Sequence, residues 1–215
     1  MTMKRDFLRK LVFGCSLVLG LGVGMHAHAE DETPDGLIKR LSTEVLDTIK
    51  ADKAMRAGDM TKIVALVDTK ILPNLDFQRM TASSVGPGWR QATPEQQKRL
   101  QDEFKTLLVR TYSGALAQVS DQTIAMKPLR ASPEDKEVVV RSEIKGGGDP
   151  VQLDYRLAKT PGQGAGWKIY NINVLGVWLV ENYKSQFAAE INAKGIDGLI
   201  ASLVERNKAN ANSKK

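Results

Sequence analysis

Few residues in this chain of 215 could carry chemistry, and the most reactive types lie near its start. Both histidines, His26 and His28, and the single cysteine, Cys15, fall within residues 1–29. If those residues are a removable leader, the rest of the chain has no imidazole and no thiol. That excludes Ser–His–Asp and Cys–His catalysis, zinc sites built on thiolate or imidazole, and intramolecular disulfides. Neither a metal nor a cofactor is expected.

Carboxylate and tyrosine chemistry remains open. Asp154 and Glu143 are candidate acids, but the alternation around them places both on a polar strand face exposed to water. Tyr112 and Tyr155 could donate a hydrogen bond within a pocket. The glycines at 146–148 are typical of a turn, because they do not join a strand to a following helix as a phosphate-binding loop does. No nucleophile is paired with a general base, so the residues favour a binding protein over an enzyme.

The start of the chain has the three parts of a secretory signal peptide. Residues 1–10 are basic, residues 11–24 are apolar and uncharged, and Ala27-His28-Ala29 supplies the small residues of a cleavage site. A transmembrane anchor would need a run of about 20 apolar residues. Lipoprotein processing at Cys15 would leave almost no apolar segment before the cut. The pattern therefore predicts export, with residues 1–29 removed after Ala29.

The net positive charge of the whole chain suggests nucleic-acid binding, but the distribution of that charge along the chain does not. The chain has 31 basic and 25 acidic residues, a net charge of +6 and a pI of about 9.4. Half of this excess lies in residues 1–29, and the last ten residues hold four basic residues and no acid. The body between them is close to neutral, so its charge does not indicate a surface that follows a phosphate backbone.

The first half of the body has helical periodicity. Apolar residues at helical spacing predict helices over 35–56 and from Gly58-Asp59 to Pro73, followed by a short helix over 74–84. The best-marked helix begins at Thr93, with Pro94 at its first position and Gln96 completing a capping box. Its broad apolar stripe runs to Val119 and includes Leu107, Leu108 and Tyr112.

The second half changes to a period of two. Strands are predicted over 137–144, 151–157 and 167–175, with residues 122–128 as a weaker edge strand. A helix over 177–207, broken near Gly195, is predicted to follow the strands. In each of the three main strands, one set of apolar side chains lies on a single face. The three sets are Val138, Val140 and Ile144; Val151, Leu153, Tyr155 and Leu157; and Tyr170, Ile172 and Val174.

These elements predict an α+β fold, with an antiparallel or mixed sheet of about four strands packed against several helices. A sheet bent around a long helix can enclose an apolar pocket. Residues 30–207 are expected to form a single domain, and the polar residues 208–215 a disordered tail. The face assignments give the candidate pocket wall: Leu107, Leu108, Tyr112, Val138, Val140, Leu153, Tyr155, Ile172, Val174, Val177 and Phe187.

Short motifs in a fixed order then narrow the interpretation. They include GWRQATPEQ at 88–96, GWKIYNI at 166–172 and LGV at 175–177, with others at 75–80, 104–112, 140–141, 151–157, 182–187 and 195–200. The ordered set resembles the MlaC, or toluene-tolerance, family of periplasmic phospholipid-binding proteins. Two departures fall near LGV: Asn171 stands where the family usually has aspartate, and Trp178 where it usually has serine. A bulky indole there is expected to narrow or reshape the pocket mouth.

The resemblance implies a soluble periplasmic carrier, expected to be monomeric. It would move phospholipid between the outer and inner membranes and so maintain the lipid asymmetry of the outer membrane. The implied partners are an outer-membrane lipoprotein complex and an inner-membrane ABC transporter with a periplasmic substrate-binding ring.

Two alternatives stay open at this stage. One is a small-molecule enzyme on a cone-shaped α+β fold that uses Asp154 or a tyrosine as its acid–base group. It requires a carboxylate inside the cavity with a raised pKa. The other is a structural protein whose apolar stripes are solid core. Bound phospholipid, a bound metabolite or no ligand would distinguish the three.

Overall fold

The structure, a computed structural model, describes residues 32–212. The predicted signal peptide lies outside these residues, together with Cys15, His26 and His28, and so does the end of the tail at 213–215. The described chain has the predicted α+β architecture, with six α-helices and one five-stranded sheet.

Capping side chains divide the first half into short helices. Thr33 accepts a hydrogen bond from the backbone of Gly36 and begins α1, and Asp52 ends the continuous helix expected over 35–56 by capping α2. A π-turn at Val67–Ile71 and 3-10 turns at Leu72–Asn74 and Gly86–Arg90 lie between later helices. The helices are α1 Pro34–Ala51, α2 Lys53–Arg56, α3 Met60–Leu66, α4 Phe77–Val85 and α5 Pro94–Ala117.

The predicted start of α5 is confirmed. The Thr93 hydroxyl accepts a hydrogen bond from the Gln96 backbone, and the Gln96 side chain accepts one from the Thr93 backbone. This capping box satisfies amide groups that have no partner within the helix. It fixes the start of a helix of 24 residues that supplies one wall of the candidate site.

The sheet is a simple antiparallel meander in the order β1-β2-β3-β4-β5. The weaker edge-strand prediction is confirmed as β1, and a two-residue strand, β5, adds a fifth strand to the expected four. The strands are β1 Thr123–Met126, β2 Glu137–Lys145, β3 Val151–Lys159, β4 Trp167–Val174 and β5 Val177–Trp178.

A register shift between β3 and β4 corrects one face assignment. Tyr155 pairs with Ile172, but Leu157 pairs with Ile169, so β4 carries one extra residue between these pairs. The bulge turns Tyr170 to the opposite face from Ile172 and Val174, whereas uninterrupted alternation had placed the three together. Tyr170 instead contacts Arg79 and Glu137 near the surface.

Three buried apolar clusters form the core. The first joins α4, α5 and the last helix, α6 (Leu179–Asn212), through Leu100, Phe104 and Phe187. The second packs α1 against the sheet, and the third joins α1, α2 and α3. The apolar face of the sheet is therefore shared between two covers, α1 and the α4–α6 layer. The sequence predicted several helices against the sheet and named α5 as one cover, but it did not identify α1 as another.

The last helix, α6, spans Leu179–Asn212 and is interrupted at Gly195, where φ is 70° and ψ is −171°. The break was predicted, but the end of the helix was not. Residues 208–212 are helical where a disordered tail was expected. Lys208 pairs with Glu205 one turn earlier, and Ala209 and Ala211 are strong helix formers.

Candidate functional site

The candidate site is a line of partly buried apolar side chains where the three clusters meet. We call it the seam. Leu108, Tyr112, Ile172 and Val174 border the first cluster, and Ile172 also borders the second. The seam comprises Leu108, Tyr112, Leu116, Ile144, Leu153, Ile172 and Val174.

The helix side of the seam comes from one stripe of α5. Leu108, Tyr112 and Leu116 are spaced by four residues and so lie on one helix face. Earlier in the same helix, Leu100 and Phe104 are almost completely buried. The stripe is therefore almost completely buried near the start of α5 and partly exposed from Leu108 to Leu116, and it is buried again at Val119 just after the helix.

The sheet side has the same gradient. Leu157 and Ile169 form a register pair that is almost completely buried, whereas the Leu153–Val174 pair is only partly buried. Val177 pairs with Val174, so both lie on one face, and Val177 is 49% exposed. Burial thus decreases along β4 toward the β4–β5 turn.

Both gradients run toward the same end of the molecule. The chain leaving α5 enters β1 at Thr123, which pairs with Lys145 at the end of β2. Because neighbouring strands are antiparallel, β3 begins at this end and β4 finishes there. The partly buried ends of both walls therefore lie toward the end of the molecule that carries the β4–β5 turn, where Val177 is exposed.

The predicted wall residues divide into three groups by burial. The structure brings Leu108, Tyr112, Leu153, Ile172 and Val174 together on the seam. Val177 lies at its exposed rim. The remaining five are fully buried core residues next to the seam: Leu107, Val138, Val140, Tyr155 and Phe187.

Leu116 and Ile144 belong to the seam but were not proposed as wall residues. Both border the third cluster. Leu116 continues the spacing of Leu108 and Tyr112, and Ile144 shares a strand face with Val140. Their periodicity placed them correctly, but nothing in the sequence indicated that the third cluster would lie beside the others.

The tyrosines act as neutral phenols. Burial raises the pKa of Tyr112 on the seam, so its hydroxyl stays protonated near neutral pH. Burial also raises the pKa of Tyr155, whose hydroxyl lies between the side chains of Ser42 and Ser142. Tyr155 is therefore a core tyrosine whose hydroxyl has hydrogen-bonding partners, whereas Tyr112 is partly exposed on the seam.

Asp154 is not solvated as the strand alternation suggested. Its carboxylate is buried, and its Oδ2 accepts a hydrogen bond of 2.8 Å from Gln152. Its Oδ1 has no hydrogen-bond partner among the described residues. Asn173, opposite it in register, is buried as well. Alternation identified the outer face correctly but could not show that this part of the face is covered.

Glu143 fits its predicted surface role. Its carboxylate lies 2.6 Å from the Lys127 ammonium group and 3.8 Å from that of Lys145. The hydrogen bond with Lys127 holds the pKa of Glu143 below its usual range. The carboxylate therefore remains ionised and has the properties of a surface ion pair.

The two residues that depart from the family pattern lie on the outer face of the sheet. Asn171 is buried, and its side-chain oxygen accepts hydrogen bonds from the backbones of Ile172 and Val180. The Arg156 guanidinium stacks on the Trp178 ring, with 4.0 Å between the guanidinium carbon and the centre of the ring. Both belong to the anchor of α6, and neither lines the seam. The expectation that the indole narrows or reshapes the pocket mouth stays a prediction.

Two surface concavities lie away from the seam. One of about 590 Å³ lies between α5 and the second half of α6, and one of about 430 Å³ lies between α4 and the first half of α6. Both have charged residues in their lining, including Glu95, Arg99 and Asp197 in the first and Arg90 and Lys184 in the second.

Within residues 32–212, no group of three or more acidic, histidine or cysteine side chains is arranged to hold a metal. In the same range, no helix is both long enough and apolar enough to cross a bilayer. The fold and the seam define the class of the protein: an α+β protein whose helices cover one face of an antiparallel sheet around an apolar site.

Comparison with known proteins then gives the family. The family model described as MlaC protein matches residues 39–205, and the chain belongs to that family. The chain is 27% identical over 190 residues to toluene tolerance protein ttg2D of Pseudomonas putida, covering 85% of this chain and 86% of the relative. It is 22% identical over 175 residues to the MlaC binding protein of the intermembrane phospholipid transport system of Haemophilus influenzae, covering 80% and 81%.

A solved structure agrees with the fold. The phospholipid-binding protein of Ralstonia solanacearum, determined in complex with a phospholipid, superimposes with a TM-score of 0.79 at 50% identity. The match covers 82% of this chain and 98% of that protein. The predicted family and the predicted fold class are both confirmed.

Proposed function

We propose that the protein binds phospholipid, with the acyl chains lying along the seam between α5 and the sheet and the headgroup facing water. The observation that carries this proposal is the gradient of burial along both walls. Side chains that are already partly exposed can pack against methylene groups without disrupting the fully buried clusters. The phospholipid bound to the Ralstonia protein at 50% identity supports the same ligand class.

The seam suits a carrier. Burying a methylene group contributes roughly 0.8 kcal/mol, so a lipid with about thirty chain carbons cannot cross water unprotected. A bilayer shelters the same chains almost equally well. Exchange between membrane and seam is therefore nearly neutral in free energy, and no catalytic group is needed. The protein is proposed to act without chemical catalysis and without a cofactor.

The wider role follows from the family. The protein is proposed to be exported by a signal peptide cleaved after Ala29 and to work in the periplasm as a monomer. It would carry phospholipid between an outer-membrane lipoprotein complex and an inner-membrane ABC transporter with a periplasmic substrate-binding ring, maintaining outer-membrane lipid asymmetry. The name of the Haemophilus relative supports this setting. Mass analysis of the exported protein would test the cleavage site.

A matched pair of substitutions tests the site. Ile172 on the seam and Ile200 on α6 are both partly buried, and both pack against the first cluster. Ile172→Asn should lower the phospholipid that copurifies with the protein at least several-fold, as measured by native mass spectrometry and lipid extraction. Ile200→Asn should leave it unchanged. Equal lipid content in the two folded variants would contradict the seam as the binding site.

A further inference from the structure

The β4–β5 turn presents two large apolar side chains to water. Leu175 is 64% exposed and Val177 is 49% exposed, and they are the exposed large hydrophobic residues among those the structure describes. Isolated surface hydrophobics are ordinary. These two flank a single glycine, Gly176, at the tip of one hairpin, and together they form what we call the apolar tip.

The backbone at the tip makes leucine an unfavourable choice. Leu175 has φ of 51° and Gly176 has φ of 88°, the two consecutive left-handed positions of a two-residue hairpin turn. Asn-Gly is the favoured pair in such a turn, because asparagine and glycine tolerate positive φ. Among the described residues, Leu175 is the one non-glycine residue with positive φ. An apolar side chain is therefore placed where turn geometry favours a polar one.

Hydrogen bonds hold the tip in a fixed position. The Leu175 backbone donates to the Gln152 carbonyl, 3.1 Å away, and the Gly176 backbone donates to the Asn173 side chain, 2.8 Å away. Asn173 is itself buried. The tip is therefore a supported projection, and strain of this kind persists only where the surrounding structure enforces it.

We propose that the apolar tip inserts into the surface of a phospholipid bilayer while lipid moves between the bilayer and the seam. This inference rests on the proposed phospholipid-binding function. The tip is continuous with the site, because Val177 shares a sheet face with Val174 of the seam. It lies at the end where the seam side chains are partly exposed, and there an acyl chain would leave the protein.

The side chains behind the tip fit a bilayer surface. On the opposite face, Trp178 stacks under Arg156, which also pairs with Glu181. A tryptophan beside an arginine is suited to the headgroup level, where aromatic rings and cations are both favourable. The tip itself is convex, and a fluid bilayer can accept a convex apolar projection without a complementary slot. Two side chains are too few to keep the protein on the membrane, which agrees with transient contact.

Leu175→Asn separates this role from folding. The substitution removes the apolar side chain and introduces the residue that the turn favours, so thermal stability should be equal or higher. Leu175→Met keeps the apolar character and is the matched control. Val177→Thr is a second test, because threonine retains the preference for a strand while adding a hydroxyl group.

The measurements use the full chain and vesicles of phosphatidylethanolamine and phosphatidylglycerol. Flotation with the vesicles should fall by about tenfold in Leu175→Asn, and so should the rate at which labelled phospholipid moves from protein to vesicles. Val177→Thr should lower both to a smaller extent, and Leu175→Met should match the wild type. Unchanged flotation and transfer in Leu175→Asn would overturn the inference. The inference would also be overturned if Leu175→Asn left phospholipid transfer to vesicles unchanged but weakened capture of a protein partner, because the tip would then contact a protein.

The two proposals can fail separately. Wild-type protein that contains no phospholipid by native mass spectrometry would refute the proposed function, while flotation still tests the tip without cargo. Wild-type protein that contains phospholipid, but whose vesicle contact does not depend on Leu175, would refute only the tip.

Discussion

Replacing Asn171 by aspartate should destabilise this protein, although aspartate is the residue its family usually carries there. The Asn171 side chain performs two tasks with two different atoms. Its oxygen accepts hydrogen bonds from the backbones of Ile172 and Val180. Its amide nitrogen donates to Glu181, with a distance of 2.7 Å between the nitrogen and the carboxylate oxygen. Asn171→Asp preserves the first task and loses the second.

The size of the effect follows from these contacts. A hydrogen bond to a charged group contributes about 1.5–3 kcal/mol, and that contribution is lost. The new carboxylate would also be buried and would face Glu181. The Glu181 side chain is 52% exposed and already pairs with Arg156, so it can turn away and relieve part of the repulsion. We expect a net loss of about 2–4 kcal/mol in the free energy of unfolding at pH 7.

The pH dependence gives a sharper test. Burial and the neighbouring Glu181 both raise the folded-state pKa of the introduced carboxyl group above its unfolded value. An acid whose pKa is raised on folding destabilises the folded state least when it is protonated. The protonated acid can also donate a hydrogen bond to Glu181 again. The difference between Asn171→Asp and the wild type should therefore shrink as the pH falls from 7 toward about 5.

Urea unfolding monitored by circular dichroism at both pH values measures this difference. The double variant Asn171→Asp with Glu181→Gln supplies a neutral partner and should recover most of the stability lost at pH 7. Glu181→Gln alone is the control for loss of the Arg156 pair. A single variant as stable as the wild type at pH 7, or a gap that widens on acidification, would refute the reasoning.

Three further predictions concern other parts of the fold. Arg79 holds the pKa of Glu137 below its usual range, so this carboxylate stabilises the folded state above its unfolded pKa and loses that contribution as the pH falls through the folded pKa. Glu137→Gln should therefore flatten the acid limb of a plot of thermal midpoint against pH. Asn207 is buried and donates to the backbone and the carboxylate of Glu103, so Asn207→Ala should lower the free energy of unfolding by about 1–3 kcal/mol in urea titrations. Gly195→Ala should cost about 1–3 kcal/mol in the same assay, because its backbone conformation is almost restricted to glycine.

Local signals in the sequence predicted the elements well, because each depends on nearby residues. The capping box at Thr93 fixed the start of α5, and the glycines at 146–148 marked the β2–β3 turn. The errors came from long-range packing. The bulge that turns Tyr170 outward depends on the pairing of two strands, and the burial of Asp154 depends on what covers the outer face. Neither is encoded in the alternation of one strand.

The candidate site shows the same division. Periodicity identified the apolar faces that carry Leu108 and Ile172, but it could not separate seam from core. Leu107 and Leu108 are adjacent on the same broad stripe, yet Leu107 is almost fully buried and Leu108 is not. Adjacent residues point about 100° apart around a helix, so which of the two is buried depends on how α5 packs against its neighbours, and that is a property of the assembled fold.

The gradient of burial along the seam suggests how, in the proposed function, one small domain combines a stable fold with an exchangeable ligand. The buried cluster around Phe104 holds α4, α5 and α6 together, and the buried cluster around Leu157 holds α1 against the sheet. Opening those clusters to admit an acyl chain would cost several kcal/mol for each large side chain exposed. Toward the β4–β5 turn the walls are already partly exposed, so an entering chain adds apolar contacts to them. In the proposed function, loading and release would use the partly exposed end of the seam, while the fully buried clusters supply the stability of the domain.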